Sequence, residues 1–342
     1  MKRRTFLVLL LVGIGFSTFI GGDVNAQTKD QPIVLRAVTA FPKTNLNNDP
    51  VHLFIEAINQ KAHGRLRIDY LGGPEVFATF DQIHAIKAGT IDMNLYYPWA
   101  YMKSLMPEAE AQGLSELTAW EERKSGLFEL WTEIFEKRAN AKFLGRFHNN
   151  LRFYIYTNKK VEKIADFKGQ NIRTMPLYIP FLKALGANPV TTPPSEMYTS
   201  LERGVVDGLM YPKYGMISWG LQEVVKNTIL PGVFQMEPAT MINLDRWKKI
   251  PRDLQELLSD TMKEYEYIAT MRSLMIEEHE DRVRAKAGGK TIVLPPEEAA
   301  KFTKLAYDVT WEQIMKSSPE YGPKLRKAMS KEAVPKGTFP WQ

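Results

Sequence analysis

A thirteen-residue pattern recurs in this chain without a gap: Asp81–Met93 (DQIHAIKAGTIDM) can be laid over Glu196–Gly208 (EMYTSLERGVVDG). In each copy an acidic residue opens a short amphipathic helix, where the positive end of the helix dipole favours it. Gly89 or Gly204 then ends the helix, a place that usually needs positive φ. A β-branched residue and Asp92 or Asp207 lead into an apolar strand, Met93–Tyr96 in one copy and Gly208–Tyr211 in the other. The match continues upstream, with Leu71-Gly72-Gly73-Pro74 against Leu185-Gly186-Ala187-Asn188-Pro189. Each copy also has an earlier strand and helix: Ile33–Thr39 with Val51–His63 closed by Gly64, and Ile172–Thr174 with Phe181–Leu185 closed by Gly186. Strand–helix–strand–helix–strand is the order of βαβ units on a largely parallel sheet. Two copies predict two similar α/β lobes.

The length of 342 residues is past the size at which single cores tend to split, in keeping with two domains. The absence of cysteine removes disulfide scaffolds, thiolate metal sites and cysteine nucleophiles. The net charge is +6, and the first 26 residues contribute +2 of it through Lys2, Arg3 and Arg4 against Asp23. The remaining basic residues are scattered, without the stripe and aromatic platforms of a nucleic-acid surface. Lys2-Arg3-Arg4, an uncharged run from Phe6 to Ile20 and the small residue Ala26 form the three-part pattern of a secretory signal. Cleavage after Ala26 is expected, which places the mature protein in the periplasm. The run is short for a membrane span, and no charged stop-transfer flank follows it.

Leu254, Leu257, Leu258, Met262, Tyr265, Ile268, Met271 and Met275 recur at three- and four-residue steps between Pro251 and Gly288-Gly289. From Pro251 to Lys286 this predicts one helix about 54 Å long, enough to lie across both lobes. Its Met-rich stripe reads as core. The expected division is a signal peptide over 1–26, lobe I over 30–149 plus 237–275, and lobe II over 150–236 plus 276–342.

Enzyme motifs are missing: there is no nucleophile elbow, no Walker loop and no glycine fingerprint after a strand. His279 begins a zinc-helix pattern without its second histidine, and His52, His63, His84 and His148 lack ligand spacing. Asp92 and Asp207, equivalent after helix-ending glycines, read as turn stabilisers rather than paired catalytic acids. Arg152 and Arg173 stand in or at the ends of apolar strands. A guanidinium there needs a partner, either an internal carboxylate or a ligand carboxylate gripped by its fork.

Asp166-Phe167-Lys168-Gly169-Gln170-Asn171-Ile172-Arg173, Ala184–Val190 and Leu201–Gly208, with Ala88–Met93 as a first-lobe counterpart, resemble the solute-binding proteins of tripartite ATP-independent periplasmic (TRAP) transporters, DctP type. The resemblance runs from about Ile33 to the long helix. It implies an α/β fold of two lobes, periplasmic-binding-protein-like, with a ligand cleft between them and a long helix spanning both. It also implies closure on an organic acid and handover to a membrane permease. The carboxylate-clamping arginine of the family falls on Arg173 and its second pocket arginine on Arg152. Where the sialic-acid and dicarboxylate branches carry Asn after the Asp-Gly motif, this chain has Tyr211. The α-keto-acid branch has an acidic residue there that helps hold a cation, whereas Leu209 and Met210 offer none.

The expected ligand set is therefore Arg173, Arg152, Tyr211, Tyr97, Trp99, Phe41 and Glu75, with no catalytic residue, no metal and no cofactor. Aromatic residues along both strand ends (Tyr96, Tyr97, Trp99, Tyr211, Phe41) favour a monocarboxylate with an apolar or aromatic body. The predicted function is an extracytoplasmic receptor that delivers an organic acid to a TRAP permease, acting as a monomer. A binding protein serving another importer or a sensor kinase, and a periplasmic enzyme, are the alternatives.

Overall fold

Two mixed sheets divide the residues that the computed structural model describes, 31–149 and 151–335. The expected signal segment lies outside them. The strands are β1 (Ile33–Thr39), β2 (Leu66–Gly72), β3 (Met93–Tyr97), β4 (Ala141–Arg146), β5 (Arg152–Thr157), β6 (Asn171–Thr174), β7 (Asn188–Thr191), β8 (Gly208–Pro212), β9 (Asn227–Gln235), β10 (Ala239–Asn243) and β11 (Lys290–Val293). The first sheet runs β2-β1-β3-β10-β4 and the second β11-β9-β5-β8-β6-β7.

The repeat is a repeat of structure. Gly89 and Gly204 take φ 73° and 66°, which lets each short helix stop. The Asp92 carboxylate then accepts the main-chain N–H of Arg36 at 2.9 Å, and the Asp207 carboxylate accepts that of Asn171 at 2.8 Å. The contacts are reciprocal, since the N–H groups of Asp92 and Asp207 donate to the carbonyls of Arg36 and Asn171 at 3.0 and 2.7 Å. Each Asp thereby clips its loop to a strand paired in parallel with the one it precedes, with Ala37 opposite Met93 and Ile172 opposite Gly208.

The sheets are not as parallel as the repeat alone predicts. β10 is antiparallel to β3 and β4, and β5 is antiparallel to β8 and β9. The chain leaves the first sheet after Arg146 and enters the second at Arg152, then leaves the second after Gln235 and returns to the first at Ala239. Strands that arrive by crossing enter from the side where the βαβ strands begin or end differently, so they run against their neighbours.

The helix Arg252–Lys286 has 35 residues, about 52 Å. It packs on the first lobe through Tyr265 against Phe54 (5.7 Å between centroids) and through Arg272 to Asp49. It reaches the second lobe through Glu280, which accepts the N–H groups of Gly215 and Met216 at 2.8 and 2.7 Å. Its apolar stripe is core only in part. Leu254, Leu258 and Met262 are buried, but Ile268, Met271 and Met275 are 40%, 64% and 73% exposed. From Glu266 onward the buried residues are Glu266, Ala269, Ser273, Glu280 and Arg284, mostly polar because the helix there bonds to loops and to the join rather than packing on a sheet. The helix Pro296–Ser317 also touches both halves: Phe302 stacks with Phe167 and meets Phe181 edge-on, while Tyr307 donates to the carbonyl of Leu114. The segment after 276 is thus not confined to the second sheet.

Gly208 sits where a Cβ would fall 2.1 Å from the carbonyl oxygen of Tyr156 and 3.0 Å from the Cα of Thr157, both main chain. Gly208→Ala is expected to destabilise by roughly 2–3 kcal/mol through overpacking. Gly204→Ala meets nothing within 4 Å and is expected to lose about 1 kcal/mol, the cost of a left-handed backbone. Urea denaturation of both variants checks the ratio.

Candidate functional site

Arg173 comes from the middle of β6 and is completely buried. Its Nε and Nη2 donate to one carbonyl, that of Thr192, at 3.1 and 2.5 Å, while the enclosed Nη1 has no partner. No ion pair relieves it among the described residues. Burial lowers the guanidinium's pKa, and the nearest groups opposing that shift are the phenols of Tyr101 and Tyr211. Burial in turn pushes the Tyr101 phenol up to about 12, with Arg173 drawing it back. A desolvated cation with a spare N–H thus stands beside two phenols.

Tyr101 and Tyr211 also line a narrow chamber between the lobes, completed by Phe41, Pro98, Phe153, Met175, Pro212 and Met236. The first lobe supplies Phe41, Pro98 and Tyr101; Phe153, Met175, Tyr211 and Pro212 come from the second, and Met236 from the return crossing. The chamber retains about 10 Å³, room for about one water and not for an organic acid. Along the rim, Asn45 Nδ2 donates to Ser218 Oγ at 3.4 Å and the Tyr214 hydroxyl donates to the Leu46 carbonyl at 3.3 Å.

Where the chain crosses between sheets, charges are buried in bulk. Arg146 donates to both oxygens of Glu122 at 3.0 Å, to the carbonyl of His148 at 2.7 Å, and pairs with Glu237 at 3.0 Å. Arg123 pairs with Glu266 of the long helix at 2.6 Å. Two guanidinium groups thus face three carboxyls, and burial pushes Glu237 upward while Arg146 holds it down. His148, at φ 67°, bonds Tyr96 through Nε2 at 2.8 Å and the Ala269 carbonyl through Nδ1 at 3.3 Å. Burial and the Arg146 charge lower its pKa to about 3, so it is a neutral strut. Nearby, in the 3₁₀ segment Pro107–Leu114, both carboxylate oxygens of buried Glu110 lack a partner.

Of the residues expected to form the ligand set, Tyr211 and Phe41 line the chamber, and Arg173 is a charge neighbour of its Tyr101 and Tyr211. Arg152 begins β5 opposite Gln235, half-buried, and its charge acts on Glu237, Tyr154 and Tyr307. Tyr97 lies in the first lobe's core with its hydroxyl committed to the Thr79 carbonyl at 2.9 Å. Trp99 is packed among Trp131, Phe135 and Phe143, with centroids 4.5, 5.2 and 5.5 Å away. Glu75 is exposed and accepts the N–H of Gly73 at 2.8 Å. Sequence reasoning missed Tyr101, Phe153, Met175 and Met236. Only Phe153 and Tyr101 had a signal, as apolar neighbours of Arg152 and Trp99.

Two lobes joined by crossing strands and braced by one helix define a periplasmic-binding-protein-like fold. A family model described as bacterial extracellular solute-binding protein, family 7, matches residues 38–317, and the chain belongs to that family. A TRAP periplasmic solute-binding protein from Desulfovibrio salexigens, solved with bound orotic acid, shares the fold at 20% identity and a TM-score of 0.79, covering 88% of this chain and 98% of that one. A monocarboxylate 2-oxoacid-binding periplasmic protein from Nostoc is 20% identical over 332 residues, 93% of this chain and 90% of that one. An uncharacterised Haemophilus influenzae protein is 34% identical over 161 residues, 45% of this chain, and the match spans 48% of that relative's length.

Burial pushes Glu110 up to about 8, against the pull of Lys103. A carboxyl raised in the folded state costs nothing below its unfolded pKa, where both states are protonated. It costs progressively more as pH rises toward the folded value, because the unfolded state sheds its proton first. Glu110→Gln should therefore gain stability on wild type by roughly 1–3 kcal/mol between pH 5 and pH 8.5. Urea midpoints at the two pH values measure it.

Proposed function

We propose that this chain is an extracytoplasmic receptor that closes on an organic acid and delivers it to a TRAP-type secondary transporter in the membrane. The observation that carries the reading is the partnerless Nη1 of a fully buried Arg173 beside a chamber shared by both lobes. A ligand carboxylate supplies the counter-charge the protein withholds. The chamber walls are ring faces, methionines and prolines, which favour an acid with an apolar or aromatic body over a polyhydroxy sugar acid. Binding energy drives closure only when the ligand touches both lobes. Recognition without a bound cation belongs to the same reading, and the chelator arm below tests it. The leader over 1–26 and the periplasmic address belong to the same reading, as does the absence of turnover. No observation favours service to another importer or to a sensor kinase.

Thermal-shift and calorimetric screens of benzoate, phenylacetate, 4-methyl-2-oxopentanoate, orotate, malonate and gluconate, with and without chelator, test the reading. Stabilisation by the apolar acids, unchanged by chelator, is the expected result; stabilisation by gluconate alone overturns the chamber's proposed selectivity. Arg173→Ala should weaken binding by roughly 100-fold or more, and Arg173→Lys by less, since the charge survives and the fork is lost. The ligand-free melting temperature should hold or rise in both. Normal binding by an unstable Arg173→Ala protein would assign the residue to structure instead.

A further inference from the structure

The hydrogen of one phenol can be placed from heavy atoms alone. Asn45 Oδ1 lies 3.0 Å from the main-chain nitrogen of Asn47, which can only donate, so that Asn45 atom is the oxygen. The Asn47 amide atom 2.8 Å from the same oxygen must then be Nδ2, and Nδ2 also lies 3.3 Å from Tyr211 Oη. Trp219 Nε1, donor only, lies 2.9 Å from Tyr211 Oη on another side. The phenol oxygen accepts twice, and its own hydrogen is left to point elsewhere. Arg173 is among its charge neighbours and cannot accept it.

Asn47 belongs to the first lobe and Tyr211 and Trp219 to the second, so the chain Asn45–Asn47–Tyr211 bridges the two lobes. Asn47 is itself fully buried there. The opposing loop is shaped for it: Gly215 has φ 89°, and a Cβ at that position would lie 2.9 Å from Asn47 Oδ1.

We propose that Asn47 is a positioning residue that couples closure to recognition: by donating to Tyr211 as the lobes meet, it turns the phenolic hydrogen onto the carboxylate held by Arg173. Asn47 need not touch the ligand. The proposal rests on the receptor reading above and adds that the anion receives one hydrogen bond whose direction the opposite lobe sets.

A double-mutant cycle tests it. The chain has no cysteine, so Val76→Cys and Val205→Cys, 40% and 55% exposed on different lobes, carry spin labels cleanly for interlobe distances. Affinity and closure are measured with the six acids named above for wild type, Asn47→Ala, Tyr211→Phe and the pair. Asn47→Ala and Tyr211→Phe should each weaken the bound acid by about tenfold, mainly in the off-rate, and the pair should lose no more than Tyr211→Phe alone. Asn47→Asp keeps the shape but accepts the phenol's hydrogen, and should lose at least as much as Asn47→Ala. Additive losses, or Asn47→Ala binding as wild type does, overturn the proposal and leave the receptor reading standing. A wild type that neither binds nor closes on any of the six overturns both.

Discussion

The architecture turns on Arg146. It ends the last strand before the chain first crosses between sheets, and its guanidinium grips Glu122 ahead of that strand, the His148 carbonyl within the first crossing and Glu237 within the return crossing. Its main-chain nitrogen faces Glu266 of the long helix at 3.4 Å. Three segments far apart in sequence are tied at one side chain with 1% exposure. Breaking one partner of so buried a network leaves an uncompensated charge, which is far costlier than the network's net contribution to stability. The crossings are therefore held in place by what separation would expose. Whatever moves in this protein, the join holds.

That rigidity makes the rim the natural place for motion. Asn45, Leu46 and Asn47 meet Ser218, Tyr214 and Tyr211 through single neutral hydrogen bonds of 3.3–3.4 Å. Bonds of this kind contribute about 1 kcal/mol each at most. They can be exchanged for water when the lobes part, as the Arg146 cluster cannot. The helix Arg252–Lys286 serves both ends: it is bonded to the join through Glu266 and to the rim loop through Glu280, which accepts from Gly215 and Met216.

Much of the fold was legible because backbone rules wrote it. Gly89 and Gly204 at the ends of short helices, with Asp92 and Asp207 three residues on, announced the two lobes, and both pairs make the same contacts. The long helix was legible from its period. The period did not say which part of the stripe is buried: beyond Ala269 the inner line is Ser273, Glu280 and Arg284, polar residues that sequence patterning assigns to solvent. Strand direction was misjudged at β5 and β10 because a repeat describes each lobe by itself, and these strands are where the lobes exchange chain. At the site, Arg173 stood out as a charge in an apolar strand. Tyr97 and Trp99 did so equally as aromatics beside a strand end, yet they fill the first lobe's core. Alternation along a strand distinguishes faces only when one face is wet, and β3 is buried on both.

Arg173 is held by a single carbonyl, that of Thr192, and by no carboxylate. An internal acid would satisfy the cation and also close the site to anions, so the missing partner is what keeps the site selective. In the closed arrangement Nη1 is stranded, while Asn47 already meets Tyr211 and the apolar walls are already sealed. On the proposed reading, the acid's carboxylate is what relieves that stranded N–H, as a bidentate pair at low dielectric. Apolar contact and the interlobe hydrogen bond hold the lobes together by themselves, and the charge is the one contribution that needs the ligand.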